Sequence, residues 1–63
     1  MRDYQQRVVD ERADLCGRLG RLRGFMDSVA YEDLPQDEKN RLRIQERVMS
    51  AYDEILRQRI EAF

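Results

Sequence analysis

The sequence predicts an all-α fold: an antiparallel two-helix hairpin that assembles into a homo-oligomeric helical bundle. Three observations lead there. Apolar residues recur every seven positions in both halves of the chain, the single proline lies between the halves, and 63 residues with one cysteine hold no disulfide to staple a small core.

In the first half, Val8, Leu15, Leu22 and Val29 are spaced by seven, with Leu19 and Met26 four positions after Leu15 and Leu22. That stripe predicts a helix over about residues 3–30. The segment Tyr31-Glu32-Asp33-Leu34-Pro35 is read as the turn, because proline is favoured in the first turn of a helix and Asp37 and Glu38 complement the positive end of its dipole. In the second half Leu42, Met49, Leu56 and Phe63 repeat the spacing, flanked by Val48, Ile55 and Ile60, and predict a helix over about 36–62. Each helix would be on the order of 40 Å long at about 1.5 Å per residue. The short connection makes them antiparallel. Residues whose numbers add to roughly 67 then lie level, so Leu15 is expected opposite Tyr52 and Leu22 opposite Gln45. With no internal repeat, linker or low-complexity tract, residues 1–63 form one αα-hairpin domain.

The apolar positions of the second helix span more than half its circumference, which one partner helix cannot cover. Val48, Ile55 and Ile60 are therefore expected at an oligomer interface. Gly17, Gly20 and Gly24 join them as candidates, because each costs a helix about 1 kcal/mol relative to alanine and the three share the face opposite the first stripe. A neighbouring subunit, a flat ligand or solvent could lie against that strip.

Twelve basic and 13 acidic residues leave a net charge of −1, which disfavours nonspecific attraction to nucleic acid or an anionic membrane. No apolar run is long enough for a membrane span, the N-terminus lacks a signal-peptide core, and a lone Cys16 suits a reducing compartment, so a cytoplasmic location is expected. The chain has no histidine, and neither Cys16 nor the serines show a neighbouring general base. No catalytic residue, no metal site and no cofactor are expected.

The residues that best suit ligand binding form a polar column on the second helix: Gln45, Tyr52 and Arg59, again seven apart. A buried amide at Gln45 would need a partner, either a symmetry mate fixing register or a ligand. Tyr52 offers a flat ring suited to stacking on a base or to filling core. Arg59 lies near the open end of the hairpin, where two arrangements are open: an ion pair with Glu11, or a pocket that Arg59 lines with Arg12 and Arg7 at a subunit junction. The stretch Arg18, Arg21 and Arg23 could also meet an anion, since guanidinium groups fork onto phosphate oxygens. Paired acids on the second helix would instead make it an ordinary charged face.

The arrangement Arg7-Val8-x-x-Glu11-x-x-x-Leu15, then Leu22-x-x-Phe25-Met26, Leu34-Pro35 and Gln45-x-x-x-Met49-x-x-Tyr52-x-x-Ile55-Leu56-x-x-Arg59-Ile60 resembles a group of short helical-hairpin proteins of tailed phages and prophages, mostly without an assigned activity. The resemblance covers nearly the whole chain and implies an accessory phage protein acting in the host cytoplasm. Many proteins of that class counter host defences, and several small oligomeric ones hold nucleotide immune signals without cleaving them. By that analogy the expected function is non-enzymatic sequestration of a nucleotide-derived signal at subunit junctions, with Arg7, Glu11, Arg12, Gln45, Tyr52 and Arg59 as binding residues. Two alternatives stand beside it: a helical interaction protein that inhibits or scaffolds a host protein, and a Rop-like RNA-binding regulator.

Overall fold

The computed structural model describes residues 2–63 and contains three helices in the order α1 (Asp3–Met26), α2 (Val29–Glu32) and α3 (Gln36–Glu61). The fold is all-α. α1 and α3 run antiparallel as a rod of 45 × 15 × 13 Å, and no helix among the described residues is long and apolar enough to cross a membrane.

α1 begins where the Gln5 side chain accepts the Arg2 backbone N–H at 3.0 Å, with Asp3 in the first turn; both satisfy the positive, donor-rich end of a helix. It ends at Met26, four residues short of the expected limit. The reason is Ser28. Its hydroxyl oxygen accepts the Tyr31 N–H at 3.3 Å and its hydroxyl donates to the Phe25 carbonyl at 2.5 Å, so one side chain closes α1 and caps α2. A serine three residues ahead of Tyr31 therefore turns the connection into a separate helical turn. Tyr31, the first residue of the expected turn, is only 4% exposed. Its hydroxyl donates to the Lys39 carbonyl at 3.4 Å, and its ring meets Phe25 edge-on at 6.2 Å, which seals that end of the rod. Pro35 (φ −57°) then leads into α3, and its carbonyl accepts the Glu38 and Lys39 N–H groups, as the fixed ring geometry favours.

Among the described residues five hydrophobic side chains are buried: Val8, Leu15, Leu19, Tyr31 and Leu56. Val8, Leu15 and Leu56 form one cluster, against which Met49 and Ile60 pack. Tyr4 and Phe63 meet edge-on at 5.8 Å and close the open end.

The register across the hairpin agrees with the expected level, but the facing residues are shifted by one. Arg12 and Cys16 both meet Asp53, and Arg23 meets Glu46, where Tyr52 and Gln45 were expected. One residue is about 100° of rotation round a helix. α3 thus turns Asp53 and Glu46 towards the α1 arginines and carries Gln45 and Tyr52 outwards.

Candidate functional site

The polar contacts between α1 and α3 centre on Asp53. One carboxylate oxygen accepts the Arg12 Nε–H at 3.0 Å and the Cys16 thiol at 3.0 Å. The Cys16 hydrogen bond, then that from Arg12, hold the Asp53 carboxyl below its ordinary range, and the same bond raises the Cys16 thiol by stabilising its protonated form. The two signs give a pH window. Asp53, with its folded pKa depressed, adds stability that is complete above the unfolded carboxylate value and is lost as pH falls through the folded one; Cys16, with its folded pKa raised, adds stability that is lost as pH rises through the folded thiol value. Asp53→Asn is expected to lower the melting temperature near neutral pH, to flatten its fall below about pH 4, and to speed alkylation of Cys16 several-fold at pH 8. Unchanged thiol reactivity would mean that the Cys16–Asp53 bond does not persist in solution.

Beside this cluster Val9, Arg12, Ala13, Cys16 and Ile60 line an open hollow of about 490 Å³. Of the expected binding residues, only Arg12 lies in it. Arg12 is tied to Asp53 rather than grouped with Arg7 and Arg59. Of the expected alternatives at Arg59, the ion pair is absent from the single chain: among the described residues Glu11, Arg7 and Arg59 are all exposed and Arg59 forms no ion pair with Glu11. The reason is the rotation of α3, which gives Arg12 the acid at Asp53 and leaves Arg59 facing out.

Gln45 is also a correction. Expected near the middle of the buried stripe, it is exposed, and its amide donates only to the Met49 sulfur at 3.7 Å. Tyr52 is 43% exposed. Gln45, Tyr52 and Arg59 therefore do form a column, seven residues apart on one line of α3, but on its outer flank. Next to it lies the surface expected from Val48 and Ile55, which Ile44 extends. Ile44, Val48 and Ile55 are 58%, 63% and 53% exposed, so a second apolar row runs along the back of α3.

Val48 and Ile55 lie in this outer row, whereas Ile60 packs against the hairpin core. Ile60 sits four residues after Leu56, on the side that faces α1, where it is half-buried and also lines the open hollow. Gly17, Gly20 and Gly24 are exposed, and a methyl group added at Gly20 or Gly24 would meet nothing within 4 Å. In an isolated chain these substitutions gain helix propensity, so Gly20→Ala and Gly24→Ala should each stabilise by about 1 kcal/mol. Thermal melts at low and high protein concentration check this, because a subunit packed on the strip would reverse the sign only at high concentration.

Of the three arginines in the local basic stretch, Arg18 pairs with Asp14 at 3.1 Å and Arg23 with Glu46 at 3.0 Å. Only Glu46 is an acid of the second helix, as expected; Asp14 lies on α1 itself, and Arg21 forms no ion pair among the described residues.

The outer column and the hollow are thus separate within one chain, and the column lies where another molecule can reach it. A family model described as Sequestin matches residues 2–62. The chain belongs to the Sequestin family. The match takes in the hairpin, the hollow and the outer column of this Sequestin-family chain together. Comparison with curated proteins and with solved structures gave no match.

Proposed function

We propose that this Sequestin-family protein is a non-enzymatic sequestering protein whose copies associate and hold a small nucleotide-derived ligand at the junctions between them. The observation that carries the reading is the outer column. Arg59 has no intrachain ion pair among the described residues, Tyr52 presents a half-exposed ring, and Gln45 has a free amide face, all on one line of α3. A guanidinium fork, a stacking surface and an amide are the groups that bind phosphate, base and base edge. Tyr52 and Arg59 flank an apolar row, so a partner covering that row would bring its own polar groups next to the column and enclose a ligand.

The family description, Sequestin, agrees with holding a partner rather than transforming it. In the fuller form of the proposal, the chain is a phage accessory protein in the host cytoplasm, and the ligand is a signal of host defence.

A panel of mono-, di- and cyclic nucleotides followed by thermal unfolding tests the reading. A ligand at about 100 times its Kd stabilises the folded state by about 2.7 kcal/mol, which in a domain this small raises Tm by about 10 °C or more. No shift with any member of the panel would contradict it. The exposed apolar row favours one second reading, docking on a host protein, which capture from host lysate by the wild type but not by a row variant would support. RNA binding through Arg18 and Arg23 is not favoured, because Asp14 and Glu46 already hold those side chains.

A further inference from the structure

The back of α3 carries a pattern that matches itself when reversed. Ile44, Val48, Ala51 and Ile55 follow the alternating four- and three-residue spacing of a coiled-coil seam, and all four are exposed. They are symmetric about the point between Met49 and Ser50: Ile44 and Ile55 are equidistant from it, as are Val48 and Ala51. We infer that this row docks antiparallel on the same row of a second copy, placing Ile44 against the partner's Ile55 and Val48 against the partner's Ala51. The inference rests on the junction proposed above and gives it a surface, a symmetry and a register.

Charge agrees with that pairing on one flank. A two-fold axis perpendicular to both helices brings like flanks together, and the flank beyond Ala51 carries Arg47 and Glu54, whose positions bring each arginine within two residues of the level of the partner's glutamate. Glu54 already accepts hydrogen bonds from Arg57 and Gln58, which hold its carboxyl down to about 2, so it is ionised where the partner's arginine approaches. The small core makes the same demand from the other side. Five buried side chains among the described residues are few for a chain of this size, where a single core rarely supplies more than about 3–5 kcal/mol. A second α3 would cover the three largest exposed aliphatic side chains of the helix in one contact.

On the opposite flank the register brings Gln45 within two residues of the level of the partner's Tyr52, and Arg59 close to the level of the partner's Arg41 and of the partner's Glu38, the acid that Arg41 already holds. Each such cluster then holds two guanidinium groups and one carboxylate, a net positive charge that a bound anion would balance. Each dimer holds two such clusters. Arg41, held in the single chain only by an exposed contact with Glu38, thereby joins the proposed binding residues.

Two measurements on the full chain test the docking. In sedimentation equilibrium at micromolar concentration the wild type is expected as a dimer or a multiple of one, and Val48→Glu as a monomer that keeps its helical circular dichroism, since Val48 is 63% exposed in the hairpin. Mild oxidation of a Cys16→Ser, Ile44→Cys, Ile55→Cys chain is expected to give a covalent dimer, and Cys16→Ser, Ile44→Cys alone to give none. Positions 44 and 55 lie about 16 Å apart along one helix, too far for an intrachain disulfide. A monomeric wild type, a Val48→Glu protein of unchanged mass, or crosslinking through Ile44→Cys alone would overturn the inference. Should Val48→Glu not fold, the crosslink decides. If the double-cysteine variant crosslinks as expected but the wild type binds no nucleotide, the docking stands and the sequestering function is contradicted.

Discussion

Leu56→Ala is expected to unfold most of the chain at room temperature. Leu56 is fully buried, the side chain on which Val8 and Leu15 of α1 and Met49 and Ile60 of α3 converge. Removing three buried carbons transfers apolar surface to water and leaves a void that two long helices cannot close without sliding, at a cost of about 2–5 kcal/mol. That range covers the whole stability expected of a core this small. Circular dichroism should show the helical signal largely lost, or a melting temperature lower by about 10 °C or more. Val29→Ala is the matching control: at 78% exposure it should shift stability by no more than about 0.5 kcal/mol. Equal effects of the two would mean that the hairpin is not held by the Val8, Leu15 and Leu56 cluster.

The second large effect concerns binding. Under the proposed function, Tyr52→Ala and Arg59→Ala each weaken nucleotide retention by at least about tenfold, equivalent to about 1.4 kcal/mol, while leaving the melting temperature of the free protein near that of the wild type. The separation follows from placement. Neither side chain is among the buried residues, and Arg59 has no intrachain ion pair to lose among the described residues. Arg59→Lys should not restore affinity, because an ammonium cannot form the planar two-point contact. Arg57→Ala is the counterpart, since Arg57 pairs with Glu54 and Glu61 and is not asked to touch ligand. If Arg57→Ala abolishes retention and Arg59→Ala does not, the column is misplaced.

The hairpin was legible because heptad spacing survives in both halves, and the level at which residues face each other followed from the short connection. What spacing alone does not settle is which of two apolar rows on α3 faces inwards. Leu42, Met49, Leu56 and Ile60 form one row, and Ile44, Val48, Ala51 and Ile55 another on the far side; counted together they read as one wide stripe with Gln45 near its middle. The choice is made by α1, whose Arg12 and Arg23 require acids opposite. Asp53 and Glu46 meet that need, and Tyr52 and Gln45 are turned out. The same rotation removes the Glu11–Arg59 pair. The break after Met26 had a signal in Ser28, a residue type that favours helix starts, but the run from Met26 to Val29 continued the apolar spacing and masked it. Ile60, at the edge of that wide stripe, packs on the core and lines the open hollow at once.

Capture and release of a nucleotide tests the proposed function most directly. Protein and a nucleotide that stabilises it are mixed, unbound ligand is removed by filtration, the protein is denatured by heat and the supernatant is resolved by chromatography. The nucleotide is expected back intact in stoichiometric relation to the subunit junctions, with none carried through by Arg59→Ala. A cleaved nucleotide, or none retained by the wild type, would contradict it.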